Sequence, residues 1–153
     1  MRVTYGKNVY GQEEIDAVNN QLKKTTQMGL SVSKFENKIS KYFGKKYSLM
    51  VNSGSSAITL ALDVLNLKKG DEVIVPCLNF GTAISALIKF ELIPILIDID
   101  IETLQIDIDK IESKISKKTR ALLIPNLIGN TPDWIKINKI AKKHNLKVIE
   151  DSA

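Results

Sequence analysis

A run of small residues, Ser53-Gly54-Ser55-Ser56, is the first place in the sequence where chemistry can be expected. The apolar residues before it predict a strand at 47–51, and those after it predict a helix at 57–65. The N-terminus of a helix presents backbone N–H groups without an intrahelical partner, and the helix dipole is positive there. Gly54 permits close approach and the serine hydroxyls add donors, so the run is suited to binding a phosphate. The alternative is that Ser53 or Ser55 only caps the helix.

Further candidates follow later predicted strands: Asn79-Phe80, Asn126, Gly129-Asn130 and Asp151. A phosphate at Ser55 and Ser56, an aromatic ring for stacking and a carboxylate for a protonated ring nitrogen together match the needs of pyridoxal phosphate. Each residue also has an ordinary structural explanation. Phe80 could belong to the core, Asp151 could cap the next element, and Asn130 could be a turn residue.

The elements that must position these residues alternate between strand and helix after residue 44. Apolar runs predict strands at 47–51, 73–76, 93–97, 121–125 and 146–150, and helical patterns lie at 57–65, 80–90, 106–115 and 131–144. Continuous apolar strands alternating with helices predict an α/β fold with three layers and a mostly parallel sheet. In such a sheet, ligands bind outside the carboxyl ends of the strands, where the candidate residues fall.

Two amphipathic helices are predicted before this pattern begins. One covers 12–26, with Ile15, Val18 and Leu22 on one face, and the other carries Phe35, Ile39 and Phe43 and stops at Gly44. The sequence therefore predicts an N-terminal helical segment at 1–44 and the start of a sheet domain at 45–153.

Composition excludes several classes of function. The single cysteine, Cys77, allows no internal disulfide, and with one histidine, His144, no metal site is expected. The net charge of +5 comes from scattered lysine pairs without interleaved aromatic residues, so nucleic-acid binding is not expected. No segment has the length of a signal peptide core or a membrane span, which favours a cytoplasmic protein with no membrane partner.

Long stretches of the sequence resemble one enzyme family, in order and over nearly the whole chain. They are YGKNVYGQEEIDAV, SKFENKISKYFGKKY, VNSGSSA, KKGDEVIVPCLNFGTA, PILIDIDIETLQID, KIESKISKKTRALLIPNLIGNTPDW and KKHNLKVIEDSA. The family is the DegT/DnrJ/StrS group of pyridoxal-phosphate-dependent nucleotide-sugar aminotransferases. The resemblance implies the large domain of a fold-type-I aminotransferase, incomplete here, which works as a homodimer. Such enzymes transfer an amino group from glutamate to a nucleotide-linked keto-sugar, and the cofactor passes through its pyridoxamine (PMP) form. The pathway implied is the biosynthesis of a surface polysaccharide or an antibiotic sugar.

The resemblance also assigns residues. The positions that match cofactor-binding residues of the family are Gly54, Ser55, Ser56, Phe80, Asn130 and Asp151. Ser55 and Ser56 match the phosphate-binding positions, Phe80 the residue that stacks on the ring, and Asp151 the partner of the pyridine nitrogen. No catalytic residue is matched, because the Schiff-base lysine of the family is expected beyond Ala153, as are the rest of the large domain and the small domain. We therefore expect an N-terminal fragment that is inactive alone.

Two alternatives remain open from the sequence. The Gly129-Asn130 pair is similar to the related PMP-dependent 3-dehydratases of nucleotide-linked 4-keto-6-deoxyhexoses, which have histidine in place of the lysine. A non-catalytic, truncated module that binds phosphate or only dimerises is the second. The sugar, the carbon and the nucleotide are not determined by the sequence.

Overall fold

The computed structural model describes residues 6–27 and 29–153, and the chain divides into two compact units, Met1–Met50 and Val51–Ala153. The predicted helical segment 1–44 includes positions 1–5 and 28, which lie outside the described residues. Among the described residues, no helix is long and apolar enough to cross a membrane.

The first unit contains two helices, α1 (Gln12–Leu22) and α2 (Leu30–Tyr42). The Glu14 carboxylate caps α1, since it accepts a hydrogen bond of 2.7 Å from the Gly11 backbone N–H. Helix α1 ends four residues before the predicted end because β-branched threonines at 25 and 26 favour the helix weakly. Helix α2 stops as predicted, with Gly44 in the left-handed region at φ +61°.

The predicted strand at 47–51 is wrong. The described part of the chain contains no strand that pairs with this segment, and Tyr47 and Leu49 are exposed. The Met50 backbone N–H donates instead to the Glu36 carboxylate at 2.8 Å. An extended segment without a neighbouring strand leaves its backbone groups to side chains and water, so apolar residues alone do not make a strand.

The second unit is a four-stranded parallel sheet with helices on both faces, as the sequence predicts. Its elements in chain order are α3 (Gly54–Leu65), β1 (Glu72–Pro76), α4 (Gly81–Lys89), β2 (Ile93–Ile97), α5 (Ile111–Lys114), β3 (Thr119–Pro125), α6 (Trp134–Lys143) and β4 (Lys147–Asp151). The strand order is β2-β1-β3-β4.

Three boundaries differ from the sequence predictions in ways that matter for the site. Helix α3 begins at Gly54 rather than at 57, so Ser55 and Ser56 lie in its first turn. The predicted helix at 106–115 is a 3₁₀ turn, Ile108–Lys110, followed by the single turn of α5. Helix α6 begins after Pro132, because the Asp133 carboxylate caps it by accepting the Lys136 N–H at 3.0 Å.

Side chains alternate across the sheet and form two apolar clusters. Val73 and Val75 of β1 pack with α3 and α4, on what we call the α3/α4 face. Ile74, between them, packs with α5 and α6 on the α5/α6 face. The connections β1-α4-β2 and β3-α6-β4 run in opposite directions along the sheet, so right-handed crossovers put α4 and α6 on opposite faces. The direction of winding therefore reverses between β1 and β3, where a crevice forms at the carboxyl ends of these strands.

Candidate functional site

The N-terminus of α3 has the properties of an anion site. The Ser53 hydroxyl oxygen accepts the Ser56 N–H at 3.2 Å, and the Ser53 carbonyl accepts the Ala57 N–H at 3.0 Å. Among the described residues, the N–H groups of Gly54 and Ser55 have no protein acceptor. The first turn contains no acidic residue. Free donors at the positive end of a helix dipole, without a competing carboxylate, favour a bound anion.

The carboxyl end of β4 lies beside this helix terminus. A Cβ placed on Gly54 would lie 4.0 Å from the Cβ of Ala153, two residues after β4. Ile149 belongs to the apolar cluster on the α3/α4 face, and Asp151 follows it by two residues, so it is directed to the same face. The half-buried Asp151 carboxylate accepts the Ala153 N–H at 3.2 Å. The structure thus brings two of the predicted elements of the site together.

Phe80 occupies the same edge of the sheet, after β1. The residue is 73% exposed, so the alternative that Phe80 belongs to the core is wrong. The strand order separates β1 from β4 by two strand spacings, which is about 10 Å. Next to Phe80, the Asn79 side-chain oxygen accepts the Phe80 N–H at 2.7 Å, while the Asn79 Nδ2 is buried without a partner among the described residues. The segment after β1 therefore carries an exposed aromatic residue and a buried amide donor at the carboxyl end of the sheet.

Asn130 is tied to a different part of the site. Its Nδ2 donates to the Thr103 carbonyl at 3.0 Å, in the loop that follows β2. A second link of the same kind joins the buried Gln105 Nε2 to the Leu127 carbonyl at 3.1 Å. Asn130 thus fastens the turn after β3 to the loop after β2, and no hydrogen bond among the described residues joins it to α3, Phe80 or Asp151.

A cavity of about 530 Å³ touches the α3 terminus but lies away from the crevice. It is lined by Val51, Ser55, Ser56, Thr59, Leu60, Asp63, Lys89 and Phe90. Apart from Val51, which precedes α3, these residues lie along α3 and at the C-terminal end of α4, and they include neither Phe80 nor Asp151. The strand ends are the better candidate for a ring-shaped ligand, because the aromatic ring and the carboxylate lie there.

An acidic residue, Asp98, lies directly after β2 at the same edge of the sheet. The backbone N–H of Ile99 and, secondarily, the Cys77 thiol donate to Asp98, and they lower the pKa of its carboxyl group. Asp98 therefore stays ionised at the far side of the crevice from Asp151.

Asn126 was a candidate only because it follows a predicted strand, and the structure shows how its side chain is bonded. Its Oδ1 accepts the Trp134 indole N–H at 2.9 Å, and its Nδ2 donates to Glu150 and Ser152, both at 2.8 Å. A half-buried tryptophan needs an acceptor for its N–H. That need was the signal in the sequence, but it did not indicate which residue would meet it.

Comparison with known proteins identifies the family of this chain. A sequence profile of the DegT/DnrJ/EryC1/StrS aminotransferase family matches residues 8–153. The chain belongs to this family. Among curated relatives, it is 42% identical over 131 residues to a GDP-4-keto-6-deoxy-D-mannose 3-dehydratase of Yersinia pseudotuberculosis. It is 40% identical over 148 residues to a dTDP-3-amino-3,6-dideoxy-alpha-D-galactopyranose transaminase of Aneurinibacillus thermoaerophilus.

Solved structures of family members have the same fold. An Escherichia coli GDP-4-keto-6-deoxy-D-mannose-3-dehydratase with bound hydrated PLP superposes with a TM-score of 0.90 at 35% identity, over 96% of this chain and 40% of that one. NtdA from Bacillus subtilis with bound cofactor PMP superposes with a TM-score of 0.85 at 35% identity, over 92% of this chain and 34% of that one. The predicted architecture, that of a PLP-dependent sugar aminotransferase, is confirmed.

The chain is much shorter than these relatives. The alignment covers 82% of this chain but 33% of the Yersinia enzyme, and 95% of this chain but 41% of the Aneurinibacillus enzyme.

Proposed function

We propose that this chain is the cofactor-binding part of a pyridoxal-phosphate-dependent aminotransferase that transfers an amino group from glutamate to a nucleotide-linked keto-sugar. The observation that carries the proposal is the meeting of the α3 N-terminus with the carboxyl end of β4, where Gly54 approaches Ala153. It occurs in a member of a family whose solved structures include PLP and PMP complexes.

The residues present fit the cofactor. The free N–H groups of Gly54 and Ser55, with the hydroxyls of Ser55 and Ser56, would hold the phosphate. The exposed Phe80 ring offers a stacking surface. The buried Asn79 Nδ2, which lacks an acceptor in the part of the chain that the structure describes, would find one on a bound group.

Asp151 would hold the ring nitrogen in its protonated form. A carboxylate beside that nitrogen favours the charged ring, and the bound cofactor then supplies an electron sink for the reaction. The turn that joins Asp151 to the Ala153 N–H orients the carboxylate before any ligand arrives. On this proposal Asn130 contributes indirectly, by holding the turn after β3 in place.

The relatives' greater length supports a further part of the proposal. The chain does not span the whole length of its relatives. The part of them that it does not span would correspond to the lysine that anchors the cofactor, the remaining strands and the small domain. Transamination would then require the complete enzyme, as a cytoplasmic homodimer, with residues 1–44 as an N-terminal helical segment.

A titration with pyridoxal phosphate, followed by absorbance and fluorescence, tests this proposal. We expect the wild-type protein to bind the cofactor, and Asp151→Asn to weaken the affinity about tenfold because the negative charge that favours the protonated ring nitrogen is lost. Asp133→Asn is the matched control, since it makes the same change at the α6 cap on the other face of the sheet. Absence of binding, or equal affinities for Asp151→Asn and the wild type, would overturn the proposal.

The second candidate is a 3-dehydratase that uses the PMP form. It is supported by the 42% identity to the Yersinia 3-dehydratase and by the Gly129-Asn130 pair. The complete enzyme, given a nucleotide-linked 4-keto-6-deoxyhexose and glutamate, separates the two. An aminated sugar supports the transaminase, whereas a sugar that has lost its 3-hydroxyl supports the dehydratase.

A further inference from the structure

Asn126 is joined to Asp151 through the backbone. The Asn126 N–H donates to the Asp151 carbonyl at 2.8 Å. This bond continues the β3-β4 ladder one residue beyond the last pair, Pro125 and Asp151. The ends of the two strands are therefore held together at the residue that faces the proposed ring nitrogen.

The side chain of Asn126 is held in one orientation. An indole N–H can only donate, so the contact with Trp134 Nε1 requires the amide oxygen on that side. The amide nitrogen then faces Glu150 and Ser152 and uses both of its hydrogens, one on each. Ser152 also donates to the Glu150 carboxylate at 3.2 Å, which closes the network.

These contacts hold the neighbours of Asp151 from the opposite face of the sheet. Val148 packs into the cluster on the α5/α6 face, and Glu150 follows it by two residues on that face. Asp151, between Glu150 and Ser152, is directed to the α3/α4 face. Asn126 thus holds the residues before and after Asp151 without touching its carboxylate.

We propose that Asn126, oriented by Trp134, is a positioning residue that fixes the Asp151 carboxylate for the ring nitrogen of the cofactor. This inference rests on the proposed function. Asparagine suits the position because it accepts from an indole on one side and donates to a carboxylate on the other. An aspartate there would set a second carboxylate oxygen against the Glu150 Oε1, where the distance is now 2.8 Å.

The central variant is therefore Asn126→Asp, which keeps the shape and reverses one hydrogen-bonding group. We expect it to weaken pyridoxal phosphate binding about tenfold and to shift the absorbance of the bound cofactor in the same direction as Asp151→Asn does. Adding Glu150→Gln to Asn126→Asp restores a donor facing the new carboxylate, so affinity and absorbance return toward the wild type. Trp134→Phe removes the indole donor while it keeps an aromatic side chain, and it gives the same shift in weaker form.

Two controls separate positioning from general destabilisation. Asn138→Asp adds the same charge on the exposed side of α6 and leaves cofactor affinity and absorbance unchanged. In the Asp151→Asn background, Asn126→Asp has little further effect on affinity, since the residue through which it acts is already altered. The melting temperature of every variant is recorded beside the titration, so that affinity is compared only between folded proteins.

The outcomes distinguish this inference from the proposed function. If the wild type binds cofactor and Asp151→Asn weakens binding, but Asn126→Asp and Trp134→Phe behave like Asn138→Asp, the positioning role alone is wrong. Failure of Glu150→Gln to rescue Asn126→Asp would also reject it. If the wild type does not bind the cofactor, the proposed function falls, and this inference falls with it.

Discussion

The two faces of the sheet have comparable apolar cores, but they differ in how fully their polar groups are hydrogen-bonded within the described residues. On the α5/α6 face, the Glu112 carboxylate is 2.8 Å from Lys143 Nζ and 2.7 Å from His144 Nε2, and Asn126 has used its whole amide. On the α3/α4 face, backbone N–H groups at the start of α3 have no acceptor among the described residues, and the Phe80 ring is exposed.

This difference predicts different roles for the two faces of the sheet. Groups that are already paired fix the positions of strand ends and helices but have little capacity left for a ligand. Groups without partners cost stability unless water or a ligand satisfies them. This contrast is what the proposed function predicts, with the cofactor bound on the α3/α4 face and its supporting contacts on the α5/α6 face.

The largest effect is expected when a core side chain is truncated on either face. Leu62→Ala in α3 and Ile111→Ala in α5 each truncate a buried residue, and each should lower the free energy of unfolding by about 2–5 kcal/mol. Only Leu62→Ala should also weaken cofactor binding by the folded protein, because Leu62 supports the helix whose terminus is proposed to bind the phosphate. Urea denaturation and a cofactor titration measure the two effects. Equal losses of affinity in both variants would remove the distinction between the faces.

A smaller effect is expected when α3 is given an aspartate cap like the one on α6. Ser53→Asp keeps a capping acceptor, as Asp133 does on α6, and should hold the free energy of unfolding within about 1 kcal/mol of the wild type. It also places a carboxylate beside the proposed phosphate site, so cofactor affinity should fall. Ser53→Ala should lower stability by about 1 kcal/mol through loss of the cap. Unchanged cofactor affinity in Ser53→Asp would show that the α3 terminus does not hold the phosphate.

The smallest expected effect is the pH dependence of the α5/α6 face. Hydrogen bonds from Lys143 and then from His144 lower the pKa of Glu112 below its ordinary value of 4.5. The stabilisation is thus present above that value and is lost as the pH falls through the lowered pKa. Glu112→Gln should reduce stability at neutral pH and flatten the loss of melting temperature on acidification. Glu91→Gln, at the exposed pair with Lys69, is the control and should leave the acid profile unchanged. An acid profile of Glu112→Gln identical to that of the wild type would contradict the assignment.

Much of the second unit could be predicted from the sequence because its signals are local. The run 93–97 was predicted as a strand with the bounds that the structure gives to β2. The alternation of apolar strands and helices predicted the parallel, two-sided sheet, and the order of motifs predicted the family that the profile match confirms. The placement of cofactor around Gly54, Ser55, Ser56, Phe80, Asn130 and Asp151 stays a prediction.

The features that the sequence did not predict depend on partners distant in the chain. The segment 47–51 has apolar residues typical of a strand, but a strand forms only against a neighbour, and the described residues supply none. Asn130 stays a predicted cofactor contact, but the sequence did not indicate that its amide bonds to Thr103, which is 27 residues away in sequence.

The sequence by itself determined the periodicity of the strands and helices, the capping residues and the order of the candidate groups along the chain. These features follow from backbone sterics and from burial of neighbouring side chains. Only the tertiary structure decided that Gly54 meets the end of β4 and that Asn126 holds both neighbours of Asp151 from the opposite face. The physical reason is that strand pairing and helix packing bring together residues far apart in the chain, and the identity of such partners is not written in any local pattern.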